Sequence, residues 1–156
     1  MKRRSFLKTV AATAPLAMMS APMVLSAKDS KPKSPNAMDL KTAVDSITGG
    51  KGAKDSDKIK LTVPEIAENG AVVPVKISVD HPMEPDNYVK AIHVFATQNA
   101  NVRCADVNLT PMNGKGYFAT RVKLAKSQDV MALVELSDGT FIKAQKPVKV
   151  TIGGCG

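Results

Sequence analysis

Tryptophan is absent and aromatic residues make up only 4% of this 156-residue chain. Whatever core it builds must therefore be aliphatic, drawn from Val, Ile, Leu, Met and Ala. Histidine is scarce as well. His81 lies in the Pro-flanked loop D-H-P-M-E-P and His93 in the apolar run Y-V-K-A-I-H-V-F-A, so the pair lacks metal-ligand spacing and His93 is expected as a satisfied strand residue. No Ser-His-Asp set, paired carboxylates or phosphate-cradling loop can be assembled, which argues against a catalytic site of its own. Of eight methionines, Met1, Met18, Met19 and Met23 fall in the amino-terminal segment, and Met38, Met83, Met112 and Met131 are scattered, so no clustered copper motif and no metal site is expected. Cysteine is limited to Cys104 and Cys155. The hydrophobic fraction of 44% argues against disorder, and the length suits one module.

The amino terminus reads as an export signal. Lys2, Arg3 and Arg4 are followed by Ser5-Phe6-Leu7-Lys8 and an apolar, small-residue stretch ending at Ser26-Ala27. K-R-R-S-F-L-K resembles the twin-arginine signal, with Lys2 where Ser or Thr is commoner. Pro15 and Pro22 interrupt the apolar run, which favours cleavage over anchoring, and no later stretch could span a bilayer. Residues 1–27 are thus expected to be removed on export to the periplasm. They hold four of the 22 basic residues and none of the 14 acidic ones, so the formal charge falls from +8 to +4, 18 basic against 14 acidic. The remaining charges are interspersed, with no basic stripe interleaved with aromatics, so nucleic acid is not expected as a partner.

Residues 28–35, K-D-S-K-P-K-S-P, form a polar, Pro-rich linker. Asn36 is expected to cap a short helix whose Leu40, Ala43, Val44 and Ile47 share one face and which Gly49-Gly50 closes. From Ile59 the period becomes two. Val73, Val75, Ile77 and Val79 alternate with polar or exposed positions, as do Phe118, Thr120, Val122 and Leu124. Further strands are expected at Ile59–Val63, Tyr88–Thr97, Val102–Leu109, Val130–Leu136 and Phe141–Ile152, separated by turn signals at Glu68-Asn69-Gly70, Asn113-Gly114 and Ser137-Asp138-Gly139. Seven short strands predict an all-β, immunoglobulin-like antiparallel β-sandwich with a short N-terminal helix over residues 36–152.

The chain ends V-T-I-G-G-C-G. Past Ile152 no side chain is available to pack, so residues 153–156 are expected to form a flexible arm, ordered only where another protein grips it. Gly153, Gly154 and Gly156 make it slim, and extended backbone would carry Cys155 roughly 10 Å beyond the strand. An ordinary thiol next to a terminal carboxylate is a modest nucleophile, so activation would fall to a partner enzyme. Alternative readings compete with a carrier: an exported interaction subunit with a Cys104–Cys155 disulfide, or a copper or redox handler using His81, Met83 and a thiol. Prenylation is excluded, because that signal places cysteine fourth from the end. Cys104 itself reads as a buried thiol acting as a small hydrophobe, with an intermolecular bridge as the alternative.

The tail V-K-V-T-I-G-G-C-G, with P-E-I-A-E-N-G-A-V-V-P-V (Pro64 to Val75) and A-T-R-V-K-L-A (Ala119 to Ala125), resembles the SoxY family, the sulfur-carrying subunits of periplasmic thiosulfate oxidation. The family's usual ending is Gly-Gly-Cys-Gly-Gly, so this chain is one glycine shorter. The resemblance implies that Cys155 is the covalent attachment point for sulfur intermediates, with no other cofactor. It also implies a heterodimer with SoxZ, visited by the SoxXA cytochrome, the SoxB hydrolase and, where present, a sulfane-oxidising component. The low charge of Tyr88–Thr97 and Val130–Leu136 marks apolar surface that such a partner could cover, although core burial explains most of it.

Overall fold

The computed structural model describes residues 37–154. Helix α1, Leu40–Thr48, opens at Asp39 rather than Asn36, which lies outside the described residues. Asp39 is extended and its carboxylate accepts the Thr42 amide at 3.0 Å, satisfying one of the donors that a helix start leaves open. Gly49, at φ 62°, ends the helix in the left-handed conformation. Nine residues are too few to hold a helix in water unaided. Its apolar face supplies what is missing: Leu40, Ala43, Val44 and Ile47 pack on Phe95, Val102, Met131, Leu133 and Phe141. Phe95 is fully buried there, a burial that stabilises by about 1.5–3 kcal/mol.

Nine strands follow: β1 (Lys54–Asp55), β2 (Ile59–Thr62), β3 (Ile66–Asn69), β4 (Val73–Val79), β5 (Val89–Ala96), β6 (Arg103–Asn108), β7 (Gly116–Val122), β8 (Gln128–Leu136) and β9 (Phe141–Ile152). One sheet runs β1-β9-β8-β5-β6, with β3 also on β9, and the second runs β2-β4-β7. The expected immunoglobulin-like sandwich is present. Its ladders are antiparallel except along one edge of β9, where β1 pairs in parallel at Ile142–Lys143 and β3 at Lys149–Ile152. The tight β8–β9 connection at Ser137-Asp138-Gly139 is the hairpin that the sequence signals.

Period-two burial explains the two sheets differently. In β4, Val73, Val75, Ile77 and Val79 are buried while the intervening residues are exposed, because one face of the smaller sheet meets solvent. In β5 and β8 nearly every residue is buried. Ile92, Val94, Val130, Ala132 and Val134 fill the sandwich interior, whereas Phe95, Met131 and Leu133 lie under α1. The low charge of these two strands is thus used up by the chain's own core and helix, and supplies no surface for a partner. β1 and β3, short segments without a strand period of their own, form because β9 is long enough to offer its outer edge to both.

Candidate functional site

The carboxyl-terminal segment leaves the sheet at Ile152, and what lies beneath it is a crossing of three backbones. Gly70 donates its amide to the Ile152 carbonyl at 2.7 Å, and Leu124 donates to the Gly70 carbonyl at 2.7 Å. Gly154 then donates to the Leu124 carbonyl at 2.9 Å. The approach is closer than any Cβ allows. A methyl on Gly153 would overlap the Ala125 carbonyl oxygen, and one on Gly154 would lie 2.7 Å from the Ala71 backbone. A methyl on Gly70 would overlap the Leu124 carbonyl oxygen and lie 2.8 Å from the Gly154 nitrogen.

This corrects the expectation that nothing packs beyond Ile152. Bare backbone has no side chain to bury, but it still carries an amide that must find an acceptor, and Leu124 provides one within the molecule. The glycines at 153 and 154 are therefore seated on the body of the sandwich, with Gly154 half-buried. Cys155 and Gly156, the other residues of the expected arm, lie outside the described residues.

The loop that receives Gly154 is itself fixed from inside. Asn99, 8% exposed, donates to the Lys123 carbonyl at 2.7 Å and accepts the Ala125 amide at 3.0 Å. Gln128, 5% exposed, donates to the same Asn99 oxygen at 2.8 Å and accepts the Gln98 amide at 2.8 Å. Ser127 adds a contact to the last strand, its hydroxyl accepting the Val150 amide at 2.9 Å. Sequence reasoning missed Asn99, Gln128 and Gly70 as parts of the site. The first two sit in polar loop-like stretches that carry no periodic signal, and Gly70 reads as an ordinary turn glycine.

The other chemistry-bearing residues lie apart from the tail and serve the fold. His93 Nδ1 faces Asp106 Oδ1 at 2.5 Å; since a carboxylate only accepts, the ring nitrogen is the donor. Arg103 Nε donates to the other Asp106 oxygen at 2.8 Å. Desolvation pushes the Asp106 carboxyl up, but the hydrogen bonds from Arg103 and His93 and their charges outweigh it and hold it below the usual carboxylate range. Cys104, half-buried, packs against the sandwich core, and its thiol is pushed up by burial. Met83 sulfur accepts the Val89 amide at 3.5 Å and His81 Nε2 pairs with Asn87 Oδ1 at 2.8 Å. Among the described residues no group of three His, Cys, Asp or Glu side chains could hold a metal.

The family described as "Sulfur oxidation protein SoxY" matches residues 44–155, from the middle of α1 through the terminal cysteine. The chain belongs to the SoxY family. The structure of the sulfur carrier protein SoxY from Chlorobium limicola f thiosulfatophilum is 30% identical, with a TM-score of 0.61 over 72% of this chain and 96% of that one. A superoxide reductase (neelaredoxin) from Ignicoccus hospitalis matches at 22% identity and TM-score 0.54, over 60% of this chain and 80% of that one. A putative superoxide reductase from Thermotoga maritima matches at 18% identity and TM-score 0.51, over 63% and 93%. At those identities the reductases share the sandwich alone with this SoxY family member. Among curated proteins nothing matches the chain.

Proposed function

We propose that the protein carries sulfur intermediates of thiosulfate oxidation covalently on the Cys155 thiol and presents them to partner enzymes, having no catalytic site of its own. The observation that carries this reading is the extent of the SoxY family match, which runs through residue 155 and so includes the cysteine. The loading step balances as thiol plus thiosulfate giving Cys155-S-S-sulfonate, one proton and two electrons, the electrons passing to the SoxXA cytochrome. Water then cleaves the terminal sulfur–sulfur bond, releasing sulfate and two protons and leaving a persulfide anion on Cys155 for further oxidation or transfer. SoxB is the hydrolase for that step.

Cys104 is unsuited to this role, since its thiol is half-buried against the core and its thiolate is disfavoured there. Pairing with SoxZ and export to the periplasm by the twin-arginine route belong to the same reading; the signal, residues 1–27, and the linker, residues 28–35, lie outside the described residues. No helix of the described residues is long and apolar enough to cross a membrane. The test is replacement in cells growing on thiosulfate: Cys155→Ser should abolish thiosulfate consumption and Cys104→Ser should preserve it. Unimpaired consumption by the Cys155→Ser strain would overturn the reading.

A further inference from the structure

The Gly70 crossing stands outside the terminal motif and yet touches it, which separates two demands that glycine could be meeting. If Gly153 and Gly154 only had to be slim for a partner's channel, nothing in the sandwich would need to accommodate them. Instead Gly70, more than eighty residues earlier in the chain, has no room for a methyl because Leu124 and Gly154 occupy that space. Its amide holds Ile152, its carbonyl orients Leu124, and the Leu124 carbonyl receives Gly154, so the three contacts form one continuous relay. Removing the Gly70 conformation would disturb every link in it.

We propose that Gly70 is a positioning residue for Cys155: through Leu124 it clasps Gly154 to the sandwich, setting where the thiol leaves the body and how much of the tail is free. With the clasp closed, the chain length between Gly154 and Cys155 limits the cysteine to about 3.5 Å from the clasp. With it open, the tail pivots after Ile152 and the limit for Cys155 becomes roughly 10 Å from there. Among the described residues, the Gly154–Leu124 hydrogen bond is the one backbone hydrogen bond made beyond the end of β9. A single bond of this kind shifts an equilibrium by about tenfold or less, so opening lies within thermal reach and a partner's grip on the tail is enough to drive it. The inference deepens the reading of Cys155 as the carrier thiol, and rests on it for its functional meaning.

The test uses the full chain in a Cys104→Ser background. Amide hydrogen exchange at Gly154, referred to a core amide such as Val134, reads the clasp without any sulfur chemistry. Protection of Gly154 by several-fold over an unstructured peptide is expected in the parent, and its loss in Gly70→Ala. Gly154→Ala, two residues from the end and outside the core, gives the same expectation at Cys155 should Gly70→Ala fail to fold. A spin label on Cys155 should tumble faster in either variant, a change that a mere loss of stability in a folded protein does not produce. Exchange at Gly154 as fast in the parent as in a peptide, or label motion unmoved by both substitutions, would overturn the clasp. Failure of Cys155 to take up sulfur while Gly154 stays protected would instead strike the carrier reading and leave the clasp standing.

Discussion

The side-chain amide of Asn99 donates to the Lys123 carbonyl at 2.7 Å, while its oxygen accepts the Ala125 amide at 3.0 Å, so one buried residue fixes both sides of Leu124. The consequence is energetic and local at once. Asn99→Ala leaves the Ala125 amide and a Gln128 amide hydrogen without their acceptor in a buried setting, and should cost about 2–3 kcal/mol of stability. Urea unfolding at neutral pH measures it. A loss below about 0.5 kcal/mol would mean that water replaces the asparagine without penalty.

Asp106 gives the protein an acid-side dependence with a defined sign. Its folded carboxyl is held below the ordinary range by Arg103 and His93, against desolvation. Stability from a depressed carboxylate is fully present above its unfolded pKa of about 4 and is lost as pH falls through the folded value. The stability gap between the parent and Asp106→Asn should therefore be present at about pH 5 and close progressively as pH falls below about 4. Denaturation series across that window read the gap directly. A gap that widened as pH fell below about 4 would contradict the arrangement.

Cys104 should be a slow thiol. Burial is the main reason, partly offset by a backbone hydrogen bond and reinforced by the nearby Asp106 charge. In a Cys155→Ser background, iodoacetamide should label Cys104 at least about tenfold more slowly in the folded protein than in denaturant at the same pH. Equal rates would show the thiol to be open and active.

Much of the fold could be read in advance because its causes are local. Val73, Val75, Ile77 and Val79 alternate in the sequence for the same reason that they alternate in burial: one face of β4 meets the core and the other meets water. The terminal cysteine was legible as a candidate because nothing about packing explains a thiol between glycines. What could not be read is non-local. Asp39 rather than Asn36 starts α1 because the end of the linker is set by where the helix meets Phe95 and Val102. β3 exists only because the distant edge of β9 is free to pair with it. Gly70 takes its importance from Leu124 and Gly154, neighbours that its own stretch of sequence does not announce.

The central claim, that Cys155 holds the sulfur, is tested most directly by intact mass and peptide mapping of the full chain after incubation with thiosulfate, the cytochrome oxidant and the partner subunit. The account predicts an added S–SO3 group mapped to Cys155 and absent from the Cys155→Ser variant. An unmodified chain, or the same group mapped to Cys104, would contradict it.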